Sequence, residues 1–172
     1  TYDPKSREHI LAGTYPTEAD MVAEMDAVAE VLKKHQVEVF RPEVIANYNQ
    51  IFTRDIAFVI DDLFFKANIL PDREKEIKAI GHVIKQIDPH KVITLPEEAR
   101  TNPKAVEYLR KVLPHKKIKS FNLKKSNTDP RENALHLDCC FQPVGRDKAI
   151  IYRGGFLEEA EYQWLVDFYG KE

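Results

Sequence analysis

The chain has 172 residues, with 26 Lys and Arg against 28 Asp and Glu, which leaves a formal charge of −2. This balance argues against a nucleic-acid partner, because nucleic-acid-binding domains normally carry a basic excess. Hydrophobic residues make up 43% of the chain, but no apolar run approaches the roughly 18 residues of a membrane span. These features predict a single globular domain over 1–172, with no membrane partner.

The first half of the chain predicts a helix, a strand, a hairpin, a second helix and a strand, in that order. Apolar residues at helical spacing predict a helix over 18–34, with Thr17 as its N-cap. Two apolar runs on either side of an acidic dipeptide predict a β-hairpin over 56–69. The remaining elements of this half are a strand over 37–40, a helix over 73–87 and a strand over 92–95.

The second half of the chain predicts the same kinds of element around one polar loop at 124–133. Strand-like alternation occurs before this loop and again on both sides of a turn after it. The predicted elements are a helix over 102–113, a strand over 118–123, a hairpin of strands 134–141 and 148–152, and a helix over 157–169.

These elements repeat in the order of predicted secondary structure, although the amino-acid sequence itself does not repeat. Hairpin, helix and strand occur in full at 55–95, and again without the last strand at 134–169. The helix–strand pairs at 18–40 and 102–123 match the back half of the same unit. A repeat of about forty residues predicts a radial array such as a propeller.

The repeat is incomplete at two places. No hairpin precedes the helix that begins at 102, so we expect a missing hairpin near 95–101. The last helix is followed by no closing strand, so we expect a further segment after position 172. The sequence is therefore interpreted as an incomplete view of a longer protein.

Two short segments concentrate polar side chains beside the predicted hairpins. The first is Asn-Gln-Ile-Phe-Thr-Arg-Asp at 49–55, and the second includes His-Leu-Asp at 136–138. Strand alternation would place His136, Asp138 and Cys140 on one face, opposite an apolar face. That arrangement is typical of a site wall, and an ordinary solvated strand face has the same pattern.

Together these segments resemble the guanidino-group modifying, or pentein, superfamily, which includes amidinotransferases, arginine deiminases and dimethylarginine hydrolases. The pattern Asn-x-x-Phe-Thr-Arg-Asp matches at 49–55, and His-Leu-Asp matches at 136–138. The resemblance implies an α/β fold, a five-bladed propeller of ββαβ units, seen here incompletely. It covers essentially the whole chain in the order of its elements.

The resemblance also implies a role for each matched residue. Asp55 and Asp138 would be the two carboxylates that grip a guanidinium, whose planar fork of donors suits bidentate hydrogen bonds. His136 would be the general acid and base. Asn49 would contact the other end of the substrate, and Arg54 would order the site, because an arginine does not act as a base at ordinary pH.

The nucleophile of the family is a cysteine near the C-terminus, and in this sequence no cysteine follows Cys140. On a strand Cys140 would lie about 13 Å from His136, beyond hydrogen-bond reach. We therefore expect Cys139 and Cys140 to be buried small hydrophobic residues, and the catalytic cysteine stays unassigned. The polar residues around them lack the second ligand pair of a structural zinc site, so no metal or other cofactor is expected.

The sequence therefore predicts an amidinotransferase-like enzyme that acts on arginine or a related guanidine through a covalent cysteine intermediate. The alternatives are hydrolysis of the deiminase or dimethylarginine hydrolase type, and a catalytically inactive member that binds a guanidine or a protein. The inactive alternative applies if the 172 residues are the complete protein. The adjacent cysteines form no disulfide framework and no leader pattern opens the chain, so a cytoplasmic setting is expected. A homodimer is left open.

Overall fold

The structure, a computed structural model, describes residues 4–48, 50–97 and 102–170. The chain divides into two compact units, one formed by Thr1–Glu24 with Lys119–Glu172 and the other by Met25–Ile118. In the described ranges no helix combines the length and apolar character that a membrane crossing needs. The expected gap near 95–101 falls largely on residues 98–101, which lie outside the described residues. The single domain over 1–172 stays a prediction.

Helices and short sheets alternate along the described ranges. The α-helices are α1 (Pro4–Leu11), α2 (Glu18–Lys34), α3 (Lys75–Ala79), α4 (Gly81–Ile84), α5 (Pro103–Val112) and α6 (Glu159–Tyr169). The strands are β1 (Ala57–Ile60), β2 (Leu63–Lys66), β3 (Val92–Thr94), β4 (Phe141–Val144) and β5 (Lys148–Ile151). Short 3-10 helices cover Thr53–Asp55, Pro71–Arg73, Pro89–Lys91, Pro130–Glu132, Leu137–Cys139 and Arg153–Gly155.

The unit Met25–Ile118 is built around a three-stranded sheet. β1 and β2 form an antiparallel hairpin, and β3 pairs with β2 in parallel after the chain has passed through α3 and α4. Phe65 on β2 is fully buried and forms a core with Leu95 and Leu113. The predicted order of hairpin, helix and strand is confirmed in this unit.

The other unit contains a two-stranded sheet and α6. β4 and β5 pair antiparallel across a turn in which Gly145 has a φ of +77°, a backbone conformation that glycine adopts without steric cost. α6 contributes Leu165 to a core shared with residues of both strands, and Tyr169 of α6 contacts the ring of Phe141 at 5.5 Å. The predicted hairpin-then-helix order is confirmed here as well.

Two of the longer predicted helices, α2 and α5, are confirmed, and so is Thr17 as the predicted N-cap of α2. α2 has the predicted bounds, and the Asp20 amide donates to Thr17 Oγ1 while the Thr17 amide donates to Asp20 Oδ2, at 3.2 and 2.9 Å. These reciprocal bonds resemble a capping box and satisfy donors that the first turn leaves free. At α5 the side chain of Asn102 accepts from the Ala105 amide at 3.1 Å.

The single helix predicted over 73–87 is wrong, because the structure divides it into α3 and α4. Ile80 lies between them with φ −102° and ψ 13°, outside the helical range. Gly81 follows at the start of α4, and glycine is the weakest helix former apart from proline. The regular spacing of isoleucines indicates which side of this segment is apolar, but it does not indicate the break in the helical backbone.

Two predicted strands are wrong for a related reason. Residues 37–40 form no strand, and of residues 118–123 only Leu123 forms a bridge, to Phe156. A strand needs a neighbouring backbone to satisfy its amides and carbonyls, and alternation in the sequence does not supply that neighbour. α1 was not predicted, since its eight residues have little apolar periodicity.

Candidate functional site

The segment with His136 and Asp138 is a 3-10 helix rather than the predicted strand. His136 is its N-cap, and the Cys139 amide donates to the His136 carbonyl at 3.1 Å. The Cys140 amide donates to the Leu137 carbonyl at 3.0 Å. The predicted common face of His136, Asp138 and Cys140 is therefore wrong, because a 3-10 helix aligns residues three apart instead of two apart.

Burial in this segment follows the three-residue period. Ala134, Leu137 and Cys140 all belong to the core of their unit, whereas Leu135 is 49% exposed. Cys140 is 3% exposed, and burial raises the pKa of its thiol above the ordinary value. Cys139 is exposed, so the expectation that both cysteines are buried hydrophobic residues holds for Cys140 alone.

Asp55 lies in another 3-10 helix, Thr53–Asp55, which comes just before the hairpin of β1 and β2, as Leu137–Cys139 comes just before the hairpin of β4 and β5. The Asp55 amide donates to the Phe52 carbonyl and the Ile56 amide donates to the Thr53 carbonyl, both at 3.1 Å. Ile56 then closes the hairpin, because its carbonyl accepts from the Ala67 amide at 2.9 Å. Ile56 is 3% exposed, like Cys140.

The two polar motifs therefore occupy equivalent positions in their units. In the unit that contains α6, the carbonyl of Cys140 accepts from the Tyr152 amide at 2.8 Å, just as the Ile56 carbonyl accepts from the Ala67 amide in the unit Met25–Ile118. Each motif is thus a 3-10 turn that ends on a buried residue and leads directly into an antiparallel hairpin. In this register Arg54 corresponds to Asp138.

Asp55 binds a guanidinium that belongs to this chain. Nη1 of Arg73 donates to Asp55 Oδ2 at 2.7 Å. The same guanidinium donates from Nε and Nη2 to the two carboxylate oxygens of Glu76, both at 2.7 Å. Glu76 first, and Asp55 after it, raise the pKa of Arg73 above its ordinary value, although burial opposes the charge.

Neither Arg73 nor Glu76 was identified from the sequence. The available signal was the spacing of an arginine and a glutamate three residues apart, with Glu76 one turn before Ile80 on the apolar side of the predicted helix. Asp55 is eighteen positions from Arg73, so their pairing depends on how the hairpin folds back. Sequence spacing alone does not report that contact.

The remaining predicted residues lie in different parts of the chain. His136 and Asp138 belong to one unit, and Asp55 and Arg54 belong to the other. His136 is half-buried, whereas Asp138 and Arg54 are exposed. Asn49 lies outside the described residues. The grip of one guanidinium by Asp55 and Asp138 together stays a prediction.

Lys125 holds the backbone immediately before His136. Its ammonium group donates to the carbonyls of Ala134 and Leu135, at 2.6 and 2.5 Å. Burial lowers the pKa of Lys125, and the nearby thiols of Cys139 and Cys140 act in the opposite direction. This lysine therefore helps to fix the entry to the 3-10 turn that carries His136.

A cleft of about 390 Å³ opens beside this turn. Cys139, which is exposed, lines it together with residues of two neighbouring segments: Pro130, Arg131, Glu132, Asn133, Ala134, Tyr152, Gly154 and Gly155. His136 and Asp138 are not among the lining residues, so this cleft is separate from the predicted guanidine-binding groups.

Comparison of the chain with protein families, with curated proteins and with solved structures finds no match. Within residues 4–48, 50–97 and 102–170, no group of three or more His, Cys, Asp or Glu side chains is arranged to hold a metal ion. The two motifs and their place in the fold therefore remain the features that point to a function.

Proposed function

We propose that this chain is a guanidino-group modifying protein of the amidinotransferase type, and that it binds arginine or a related guanidine. The observation that carries the proposal is the equivalent placement of Phe-Thr-Arg-Asp at 52–55 and His-Leu-Asp at 136–138. Each lies in a 3-10 turn at the start of a hairpin that is followed by a helix. Such a repeated unit agrees with the ββαβ propeller that the family resemblance implies.

The proposed grip uses two carboxylates and one cation. A guanidinium is planar and always charged, and its N–H donors face outward in pairs, so carboxylates on two sides satisfy it. Asp55 already accepts a charge-assisted bond from a guanidinium at 2.7 Å, which supports its chemical suitability for this ligand. Asp138 is the second proposed carboxylate, and Asn49 is proposed for the far end of the substrate.

His136 is the proposed proton carrier. In the family reaction a cysteine thiolate attacks the guanidinium carbon, the amine leaves with a proton, and a second nucleophile then releases the amidino group. His136 would donate the proton to the departing amine and accept one from the incoming nucleophile. Its side chain is half-buried, and Lys125 fixes the backbone that leads to it.

The burial of Cys140 favours a second candidate, which is guanidine binding without covalent chemistry. Cys140 is buried in the core and its pKa is raised, and both properties disfavour a thiolate nucleophile. In this candidate the described residues would supply binding and proton-transfer groups only. Transfer to an amine, hydrolysis by water and simple binding are distinguished by the products formed from arginine with and without an added amine.

The experiment for guanidine binding is a thermal melt with arginine, agmatine or guanidinoacetate. Each effective ligand should raise the melting temperature, since a ligand at a hundredfold excess over its Kd stabilises the folded state by about 2.7 kcal/mol. Asp55→Asn and Asp138→Asn should each abolish this rise. Asp72→Asn and Asp147→Asn, one exposed aspartate from each unit, should keep it.

His136→Ala separates binding from turnover. This variant should keep most of the ligand-induced rise and lose product formation, because proton transfer rather than grip depends on the imidazole. If none of the three guanidines moves the melting temperature of the unmodified chain, the proposed function is wrong.

A further inference from the structure

The side chain of Arg73 connects two carboxylates of unequal burial. Its Nε and Nη2 form a fork that occupies both oxygens of Glu76, and its Nη1 bonds Asp55 through Oδ2 alone. All three distances are 2.7 Å. A fork of this kind fixes the plane of the guanidinium as well as its position.

Glu76 is the fixed end of this network. It lies on α3 and is 2% exposed, so its carboxylate has no access to bulk water. A buried carboxylate requires a compensating cation, which ties the guanidinium of Arg73 to Glu76. The side chain of Asp55 is 23% exposed, so it is the end of the network that an outside ligand can reach.

Asp55 is thereby held in one orientation with one oxygen available. Arg73 takes Oδ2, and Oδ1 accepts no hydrogen bond from the described residues. Two carboxylates and one guanidinium carry a net charge of −1, which one further cation would neutralise. The arrangement suits a second guanidinium that approaches Asp55 from the side opposite Arg73.

We propose that Arg73 is a positioning residue, which orients Asp55 for guanidine binding and is itself anchored by Glu76. This inference rests on the proposed function, because it concerns the same guanidine. Arg73 does not touch the ligand in this proposal. Arg73 fixes the carboxylate of Asp55 before the ligand arrives, so binding does not carry the entropy cost of ordering that side chain.

The decisive variant is R73M/E76L, which removes the cation and the buried anion together. The local net charge stays at −1, and a buried ion pair replaced by apolar side chains of similar volume is tolerated in many proteins. What is lost is the orientation of Asp55. The double variant R153M/E159L is the matched control, because it removes an exposed Arg–Glu pair with a 2.8 Å bond in the other unit.

Calorimetric titration with agmatine should show about tenfold weaker binding by R73M/E76L, the scale of one charge-assisted hydrogen bond. Its urea midpoint should stay close to that of the unmodified chain, so the loss is not a loss of fold. R153M/E159L should bind as the unmodified chain does. R73K, which keeps a cation beside Glu76, should also bind about tenfold more weakly because an ammonium has no fork.

Equal or tighter agmatine binding by both R73M/E76L and R73K, with binding by the unmodified chain intact, overturns this inference alone. Tighter binding would mean that Arg73 competes with the ligand for Asp55. Absence of binding by the unmodified chain overturns the proposed function and this inference with it, so the two failures are distinguishable.

Discussion

Glu76 is only 2% exposed, so its carboxylate is buried. The guanidinium of Arg73 compensates the negative charge of that carboxylate. The pair lies within one turn of chain, at i and i+3, and its two bonds occupy both carboxylate oxygens. In contrast, the bond between Arg153 and Glu159 joins two side chains that are both more than half exposed. Burial, rather than the number of bonds, makes the first pair important for stability.

We predict that Arg73→Met lowers the free energy of unfolding by about 3 kcal/mol. Breaking a buried pair from one side costs roughly 3–5 kcal/mol, and the 25% exposure of Arg73 places this case at the lower end. Urea denaturation measures the change. Arg153→Met should cost less than about 1 kcal/mol, as exposed pairs do. Equal losses in both variants would contradict this account of Glu76.

The two adjacent thiols should differ in reactivity. Cys139 is exposed, whereas Cys140 is buried and its raised pKa leaves less thiolate at neutral pH. Mass spectrometry after maleimide treatment of the folded chain should therefore show one rapid addition, and a second only in denaturant. Cys139→Ser should remove the rapid addition. Two rapid additions to the folded chain would contradict the burial of Cys140.

At the scale of residues the sequence indicates candidate side chains for a site but not how they are paired. His136, Asp138 and Asp55 stand out because polar groups interrupt apolar segments there. The bond from Arg73 to Asp55 spans eighteen positions and depends on the return of the hairpin. Local spacing carries no information about such a contact.

Among the secondary-structure elements, the glycines at 81 and 155 make a matched pair of tests. Gly155 lies against Cys140 and Ala134 in the core, and a Cβ at this position would overlap the Cys140 side chain. Gly81 begins α4 with no heavy atom within 4 Å of an added Cβ. Adding the same methyl group therefore has opposite consequences at the two positions.

Gly155→Ala should destabilise the fold by about 1–3 kcal/mol through overpacking. Gly81→Ala should stabilise it by roughly 0.5–1 kcal/mol, because alanine reduces the freedom of the unfolded chain and favours the helix. Thermal melts of both variants test the pair. A change of the same sign at both positions would be inconsistent with the core described around Cys140.

The cap of α5 gives a second test of an element. Asn102→Ala removes the side-chain oxygen that accepts from the Ala105 amide, and should cost about 1 kcal/mol. Urea denaturation measures the loss. Asn127→Ala, at an exposed loop position, is the control and should leave the urea midpoint within the error of the measurement.

Elements with a strong local signal were predicted well, and those that depend on a partner were not. α2 has its predicted bounds because a 17-residue periodic stretch and a capping box act together. The alternation of Leu135, His136, Leu137 and Asp138 predicts a strand over 134–141. In the structure every third residue of this segment, Ala134, Leu137 and Cys140, packs in the core instead. This spacing of three residues is that of a 3-10 turn.

For the whole molecule, the repeat is the feature that sequence and structure share. Hairpin followed by helix is present in both units, and each hairpin is introduced by a 3-10 turn. The five-bladed propeller stays a prediction, because closure depends on contacts between blades that a local pattern does not encode. The same holds for the shared guanidine site, whose two carboxylates come from separate units.

The most direct test of this shared site is a crystal structure of the chain determined from crystals grown with agmatine. We predict one guanidinium that donates to both Asp55 and Asp138, with N···O distances up to about 3.2 Å. Arg73 should remain on Glu76 in that complex. Agmatine bound elsewhere, or carboxylates of Asp55 and Asp138 more than about 12 Å apart, would contradict the account, because direct contacts require hydrogen-bond distances on both sides.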